Sequence, residues 1–372
     1  MTFAGVSASA KFYFRAAGLI DAPFGLDGQF ARLAGGMQFF SAWDVVAVDG
    51  GVRTGQWLLP VDRVGDALVS LSEHQRTAAM TMMTRVTSPR GVLQLGERTV
   101  RLDQPHVMGI LNMTPDSFSG GSDFLSDPAG AASQAVAMSS AGAALIDIGG
   151  ESTRPKAKTV WEQDEIARVM PVIEILRHSG TAISIDTRKA AVMEAALAGG
   201  AHLVNDVSAL MYDDRALEVV ARATCPVVLM HSPGKSSDLH EQTSYSDPLI
   251  ETYDWLEDRI DAVVSAGVAR DRIIVDPGIG FGKGVAENLA ILNGLSLFHG
   301  LGCPVLLGAS RKRLIGALSN EAPADKRLGG SVAIALKGVE QGVQLVRVHD
   351  VAETVQALHI WRGMRDAALS PQ

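Results

Sequence analysis

The stretch Ala143-Ala-Leu-Ile-Asp-Ile-Gly-Gly-Glu-Ser-Thr-Arg-Pro155 joins a short apolar run to a cluster of hydrogen-bonding side chains. A continuous apolar run of this length is typical of a strand buried on both faces of a parallel sheet. Such a strand normally ends in a turn that only redirects the chain. Here an acid, two hydroxyls and an arginine follow it, so the end of this strand is a candidate part of a functional site.

Seven further runs of the same kind recur along the chain and alternate with segments of helical period, such as residues 247–266 and 352–365. The eight runs cover residues 106–111, 144–148, 182–186, 202–206, 226–231, 272–276, 304–308 and 344–349. Eight strand–helix units predict an α/β fold, an eight-stranded (β/α)8 TIM barrel. The alternative is a doubly wound open sheet, which usually has fewer strands and a glycine-rich turn after the first. The first run is instead followed by Asn112-Met-Thr-Pro-Asp-Ser-Phe118.

The chain divides into two parts. We predict that residues 1–88 form a small mixed α/β N-terminal extension of unknown role and that residues 89–372 form the barrel domain. Two alternating runs around Gly96 predict a hairpin at residues 91–102 that covers the N-terminal end of the barrel. We expect the extension to dock on the bottom or flank of the barrel, with Phe39, Phe40, Trp43 and Trp57 in its core or docking surface.

Composition restricts the partners. The 372 residues carry a net charge of −8 and no block of Lys or Arg, so we expect no nucleic-acid partner. No run long enough to span a bilayer and no charged leader with a long apolar region is present, so we expect no membrane partner and a cytoplasmic protein. Cys225 and Cys303 each precede a proline at the start of an apolar run, which predicts two buried thiols.

Polar residues follow all eight predicted strands, and in a barrel these strand ends meet at one rim. Taken singly, Asp186 and Asp276 fit helix caps or turn formers, and Lys283 and Lys312 fit solvated side chains. Their occurrence at every strand end favours a shared site. The strand ends are Asn112, residues 149–154, residues 186–189, Asn205 with Asp206, Met230 with His231, residues 276–283, residues 310–312 and residues 347–350.

Several common site types do not fit these residues. The glycines of residues 276–283 do not match G-x-G-x-x-G, and no Ser or Thr follows Lys283 as in a P-loop. His231 and His349 lack the accompanying ligands of a zinc site. No G-x-S-x-G elbow is present for a hydrolase serine.

The residue types indicate two kinds of ligand group. Asp186, Asn205 and Asp276 suit a flat heterocycle rich in N–H groups, because carboxylates accept hydrogen bonds and an amide both donates and accepts. Arg347 and His349, with Asn112, suit an anion such as a diphosphate. A magnesium ion would fit beside such a group.

Six segments closely resemble the signature segments of the dihydropteroate synthase family, in the same order and over about residues 91–365. The resemblance implies an enzyme that condenses 6-hydroxymethyl-7,8-dihydropterin diphosphate with 4-aminobenzoate and releases diphosphate. Two positions differ from the family's usual sequence, namely Lys156 and the residues after His231. The six segments are residues 112–119, 149–155, 184–187, 276–283, 308–312 and 347–351.

The resemblance also implies site residues, a magnesium ion near Asn112, a homodimer and sensitivity to sulfonamides. The loops at 112–118 and 152–155 would close over the site. Pterin contacts are implied for Asp186, Asn205, Met230, Asp276 and Lys312. Diphosphate contacts are implied for Asn112, Thr153, Arg154, Arg347 and His349. Aminobenzoate contacts are implied for Phe118, Thr153, Arg154, Pro155, Ser310, Lys312 and Arg313. Catalytic roles are implied for Asp186, Asp276, Lys312, Arg347 and His349.

Two other classes share the predicted barrel. One is the pterin-binding barrel of a corrinoid-linked methyltransferase, and the other is a non-catalytic pterin-binding protein. Neither class needs side chains that bind a diphosphate. Residues 310–312 together with Arg347 and His349 therefore favour the synthase.

Overall fold

The computed structural model describes residues 2–3, 5–115, 124–154, 157–232, 239–241 and 243–370. Phe118 and Pro155, which the sequence predicts to contact aminobenzoate, lie outside the described residues.

The extension is an antiparallel sheet followed by two helices. Its elements are β1 (Lys11–Ile20), β2 (Ala31–Arg32), β3 (Phe39–Asp49), β4 (Val52–Pro60), α1 (Val64–Leu68) and α2 (Glu73–Thr87). Strand β3 is central and pairs with the other three. Gly50 and Gly51 turn the chain between β3 and β4 with φ of +56° and +80°, the left-handed values that a two-residue hairpin turn needs. The predicted mixed α/β extension is confirmed.

The second sheet has eight parallel strands, as the eight apolar runs predict. They are β7 (His106–Asn112), β8 (Ala143–Gly149), β9 (Ile183–Asp186), β10 (Leu203–Asp206), β11 (Val227–Met230), β12 (Ile273–Asp276), β13 (Leu306–Leu307) and β14 (Leu345–Val348). Their order is β12-β11-β10-β9-β8-β7-β14-β13, and a parallel bridge between Val275 and Val305 joins the two outer strands. The sheet therefore closes into a barrel, which excludes the doubly wound alternative.

Helices follow the strands around the barrel. They are α3 (Pro128–Ser140), α4 (Glu162–Leu176), α5 (Ala190–Gly199), α6 (Ala216–Arg222), α7 (Pro248–Ser265), α8 (Val285–Asn293), α9 (Arg313–Leu318), α10 (Leu328–Glu340) and α11 (Val351–Ala368). Helices α3 and α7 both begin with an Asp-Pro pair. Asp127 accepts a hydrogen bond from the Gly130 amide at 2.8 Å, and proline occupies the first helical position, where no N–H is needed.

The hairpin formed by β5 (Val92–Leu95) and β6 (Arg98–Arg101) closes one end of the barrel. Its side chains Leu93, Leu95 and Val100 are buried in one apolar cluster with residues at the start of the barrel strands, including Leu203 and Leu345. These positions lie at the amino ends of the strands. The rim at the carboxyl ends is thus left as the open end.

The extension packs beside the closed end and along the flank of the barrel formed by α7. At the closed end it contacts the 3₁₀ segment Leu295–Leu301, which leads into β13, and Ser296 Oγ donates to the carbonyl of Ala16 at 3.0 Å. On the flank, Arg53 Nε donates to Asp247 Oδ2, at the N-terminus of α7, at 2.5 Å. Phe40 and Trp43 are buried, in one continuous cluster with the outer barrel core. The division of the chain into two domains at residue 88 therefore stays a prediction.

Two smaller expectations concern membranes and thiols. Among the helices of the described ranges, none is both long and apolar enough to cross a bilayer. Cys303 is buried, as predicted, but Cys225 is only partly buried, and both thiols are free. Cys225 lies just before β11, where the chain enters the barrel from its surface, so the prediction of two buried thiols was wrong for this residue.

Candidate active site

The strand register brings four predicted rim positions side by side. Asn112 on β7 lies opposite Gly149 on β8, Gly149 lies opposite Asp186 on β9, and Asp186 lies opposite Asn205 on β10. Met230 at the end of β11 lies opposite Asp276 at the end of β12. The polar ends of these strands therefore form one continuous arc at the open end of the barrel.

Arg347, on β14, connects this arc from the other side. Its Nε donates to Asp147 Oδ2 at 2.6 Å, and its Nη2 donates to Asp186 Oδ2 at 2.7 Å. Burial raises the pKa of the Asp186 carboxyl, and Arg347 opposes that rise. The two hydrogen bonds fix the plane of the guanidinium and leave other N–H groups of its five available for a ligand.

Asp147 is the residue that the sequence analysis missed. Its side chain is fully buried in the middle of β8, and it also accepts hydrogen bonds from Ser184 Oγ at 2.5 Å and Asn205 Nδ2 at 2.9 Å. The signal was present in the sequence, because a single acid inside an otherwise apolar strand must find partners. The sequence analysis assigns Asp147 only to the apolar run 144–148.

Asp276 occupies the opposite side of the rim. Its Oδ1 accepts a hydrogen bond from the Gly278 amide at 2.7 Å, and burial raises the pKa of its carboxyl group. The next strand contributes Gly308, where a Cβ atom would lie 3.4 Å from Asp276 Oδ2. The missing side chain leaves room between Asp276 and Arg347.

The glycine-rich loop after β12 is held by Lys283, which is buried. Lys283 Nζ donates to Gly278 O at 3.0 Å and to Phe281 O at 3.2 Å, and lies 2.7 Å from His231 Nδ1. Burial lowers the pKa of Lys283 to about 7. Gly278 has a φ of +68°, and a Cβ atom there would lie 2.0 Å from the His231 carbonyl oxygen. The loop's sequence is thus explained by its shape, and His231 is a structural partner of Lys283.

Lys312 reaches the same loop from the segment after β13. Its Nζ donates a hydrogen bond to the carbonyl of Ile279 and lies 4.1 Å from the centroid of the Phe281 ring. Burial lowers the pKa of Lys312 to about 8, while Asp276 opposes that shift. Met230 and Phe281 share a small buried cluster beside it. The predicted pterin residues Asp276, Lys312 and Met230 therefore lie around one loop.

His349 follows β14 and packs against the end of β13. Its Nδ1 lies 3.1 Å from Ser310 Oγ. Burial, together with Arg347 and Arg311, lowers the pKa of His349 to about 3. The imidazole is therefore neutral at pH 7 and offers a hydrogen bond to a ligand without adding a positive charge.

The motif that follows β8 is organised by buried charges. Glu151 accepts from Arg188 Nη2 at 2.6 Å and from Lys189, and Lys189 also donates to Glu165 Oε2 at 2.5 Å. Neighbouring Thr153 is tied through its carbonyl oxygen, which lies 2.6 Å from His240 Nε2. The acid of the motif thus anchors the loop that carries Thr153.

The remaining predicted residues are at the edge of the rim. Asn112 ends β7 and is partly buried, whereas Arg154 and Arg313 are exposed. Arg313 begins α9. Within the described residues, no hydrogen bond joins Thr153, Ser310 and Arg313 to one another, so their shared aminobenzoate subsite stays a prediction.

Fold and rim together define a barrel enzyme whose open end is lined by carboxylates, an amide, lysines and an arginine. A family model described as pterin binding enzyme matches residues 108–349. Dihydropteroate synthase of Neisseria meningitidis serogroup B is 43% identical over 280 residues, which cover 74% of this chain and 98% of the relative.

Two solved structures of relatives agree in fold. The dihydropteroate synthase of Yersinia pestis, solved with a sulfonamide drug complex, is 43% identical with a TM-score of 0.70, over 74% of this chain and 100% of that one. The Burkholderia cenocepacia enzyme, complexed with 7,8-dihydropteroate, is 41% identical with a TM-score of 0.69, over 75% and 98%. The chain belongs to the dihydropteroate synthase family. It is a transferase of folate biosynthesis, which condenses 6-hydroxymethyl-7,8-dihydropterin diphosphate with 4-aminobenzoate to give 7,8-dihydropteroate and diphosphate.

Proposed function

We propose that the rim described above is the active site of this reaction. The observation that supports it most is the convergence of Asp186, Asn205 and Arg347 at the ends of three strands, within hydrogen-bond distance of one another or of Asp147. The test is to incubate purified protein with both substrates and magnesium and to measure diphosphate release together with dihydropteroate. Wild-type protein that forms neither product would refute the proposal.

The pterin lies between the two carboxylates in this proposal. Asp186, Asp276 and the amide of Asn205 pair with its ring N–H and acceptor groups, and the ammonium of Lys312 faces a ring acceptor. Met230 forms an apolar floor beside Phe281, with which it shares a buried cluster. The room left by Gly308 supports this placement.

The diphosphate binds toward Arg347. The guanidinium contributes charge and the N–H groups not bound to Asp147 and Asp186, while neutral His349 donates one hydrogen bond. Thr153 and Arg154, on the loop anchored by Glu151, close over the diphosphate, together with the loop that begins at Asn112.

A magnesium ion is part of the proposal, and Asn112 would help to hold it beside the diphosphate. The described residues contain no group of three His, Cys, Asp or Glu side chains placed to hold a metal ion. Asn112 nevertheless fits as a single oxygen ligand, because Mg²⁺ often takes few protein ligands and fills its shell with phosphate oxygens and water. When bound, the ion neutralises charge that develops on the leaving group.

The chemistry that fits these residues is a dissociative substitution. The C–O bond to diphosphate breaks first, with Arg347 stabilising the departing charge. The resulting cation is delocalised over the pterin ring, where Asp186 and Asp276 stabilise it electrostatically. The amine nitrogen of 4-aminobenzoate then forms the C–N bond and loses a proton. Loop closure excludes water, which would otherwise capture the cation.

The aminobenzoate subsite in the proposal is framed by Ser310, Lys312 and Arg313 on one side and Thr153 and Arg154 on the other. The Yersinia pestis relative with its sulfonamide supports competition of sulfonamides with aminobenzoate. Inhibition kinetics against each substrate in turn check this. A homodimer acting in the cytoplasm completes the proposal, and light scattering of purified protein and cell fractionation check those two points.

A further inference from the structure

Asp147 lies beneath the rim and contacts two proposed binding residues without being exposed itself. Its Oδ2 accepts from Asn205 Nδ2 at 2.9 Å and from Arg347 Nε at 2.6 Å, and its Oδ1 accepts from Ser184 Oγ at 2.5 Å. Its side chain has no accessible surface. A ligand at the rim cannot touch Asp147, so any effect of this residue on binding must pass through its partners.

An ionised carboxylate can only accept hydrogen bonds. The group of Asn205 that faces Asp147 must therefore be the NH2 group, and this settles an orientation that atomic positions alone leave ambiguous. The carbonyl oxygen of the Asn205 side chain is consequently turned away from Asp147. The same Oδ2 of Asp147 also accepts from Arg347 Nε, and a guanidinium nitrogen can only donate.

We propose that Asp147 is a positioning residue that fixes the side-chain amide of Asn205 and the guanidinium of Arg347 for binding of the pterin substrate. The inference rests on the proposed function, in which Asn205 and Arg347 contact the substrate. It adds a chemical requirement on the ligand. The group facing the Asn205 carbonyl must be a hydrogen-bond donor, such as an N–H of the pterin ring system.

The decisive variant is Asp147→Asn, which keeps the size of the side chain but presents an amide. The new amide at position 147 can form a hydrogen bond with Asn205 in either orientation of the Asn205 side chain. The substitution also removes one of the two carboxylates that hold Arg347. We expect about tenfold weaker binding of 6-hydroxymethylpterin, measured by calorimetry without any turnover. In kinetics, KM for the pterin diphosphate rises while KM for 4-aminobenzoate stays within about twofold.

Ser184→Ala is the matched control for stability. It removes a buried hydrogen bond to the same carboxylate but leaves the contacts to Asn205 and Arg347 in place. We expect it to lower the melting temperature and to leave pterin affinity within about twofold. Equal losses of pterin affinity in Ser184→Ala and Asp147→Asn would show that Asp147 has only a structural role.

A double-variant cycle tests the route through Asn205. In an Asn205→Ala background, Asp147→Asn should weaken pterin binding much less than it does in the wild type, because the amide that it positions is gone. If Asp147→Asn lowers pterin affinity by the same factor in the wild type and in the Asn205→Ala background, the inference is overturned. Asp147→Ser serves as a second variant if Asp147→Asn does not fold, and failure of both to fold would show that Asp147 acts on stability alone.

The two proposals fail in different ways. Wild-type protein that binds no pterin would refute the proposed active site. Wild-type protein that binds pterin, with Asp147→Asn folded and unchanged in affinity, would refute only the positioning role.

Discussion

Ser310 Oγ lies 3.1 Å from His349 Nδ1 and accepts a hydrogen bond from the His349 backbone N–H at 3.2 Å. Because the backbone N–H donates to Oγ, the serine hydroxyl is able to donate to Nδ1. A hydroxyl that donates to Nδ1 would leave the imidazole proton on Nε2. Burial and the neighbouring arginines lower the pKa of His349 to about 3, so the ring is neutral at pH 7. In the proposed site, Ser310 would then orient His349 to donate to the diphosphate.

Ser310→Ala should therefore act on the diphosphate side of the site. We expect kcat/KM for the pterin diphosphate to fall about fivefold, because the loss of one hydrogen bond costs about 1 kcal/mol. Steady-state kinetics with each substrate varied in turn measure this, with the exposed Ser133→Ala on α3 as a neutral control. Because Ser310 also frames the aminobenzoate subsite in the proposal, KM for 4-aminobenzoate is measured as well, and a rise confined to that constant would show that the contact of Ser310 with His349 does not act on the diphosphate.

Arg347 is tested with two substitutions. Arg347→Lys keeps the positive charge between Asp147 and Asp186 but loses the fork of donors, so it should retain most stability and lose about 2–4 kcal/mol of transition-state stabilisation. Arg347→Ala should also lower the melting temperature, because it leaves buried carboxylates unpaired. Kinetics and melting are measured on both variants. Near-normal turnover in Arg347→Lys would contradict the leaving-group role.

Gly308→Ala should damage the site without damaging the fold. The added Cβ would make ordinary contacts, 3.4 Å from Asp276 Oδ2 and 4.0 Å from Arg347 Cβ. It would occupy the gap between these two side chains, so we expect KM for the pterin diphosphate to rise about tenfold. Gly65→Ala, which has open space around it, is the control. Unchanged pterin affinity in a folded Gly308→Ala would exclude the ring from this gap.

Stability should fall in mild acid because of His299. This histidine is fully buried where the extension meets the barrel, and burial with the nearby Arg90 lowers its pKa to about 3. Below pH about 6.5 the unfolded chain binds a proton there that the folded chain does not, so the free energy of unfolding falls by up to about 1.4 kcal/mol per pH unit. Urea unfolding between pH 7 and 5 should show a shallower decline in His299→Gln. An equal decline of the free energy of unfolding with pH in the wild type and in His299→Gln would show that His299 is not its cause.

Removal of residues 1–88 should spare catalysis. The extension packs against the closed end and the flank of the barrel, and the Neisseria relative covers 98% of its own length without matching the whole of this chain. We expect Michaelis constants within a few-fold and lower solubility or melting temperature, because apolar side chains around Leu295–Leu301 become exposed. A well-folded truncated protein that loses affinity for either substrate would show that the extension reaches the rim.

The sequence was sufficient for the eight strands and for placing most candidate residues at the carboxyl ends of those strands. Eight apolar runs predicted eight strands, because burial on both faces leaves little room for polar residues. The role of Asp147 was not predicted, since it depends on which side chains the neighbouring strands bring beside it. Lys283 was predicted only as part of the strand end 276–283, with a solvated side chain as the alternative. Its contacts with Gly278, Phe281 and His231 become visible only when the loop after β12 is folded. Cys225 was misassigned for the same reason, because its burial is set by neighbours from other segments.

The short strand β13 makes the barrel's closure depend on few backbone contacts. In the described part of the chain, β12 and β13 are joined by the bridge of Val275 with Val305, whereas β7 and β8 are paired at six residue positions. Asp276 lies on one side of this seam, the junction between β12 and β13, and Lys312 lies on the other side. A pterin held by both side chains would therefore span the seam and act as a further cross-link. Filling the site would suppress transient opening of the barrel there, so that substrate occupancy and resistance to local unfolding rise together.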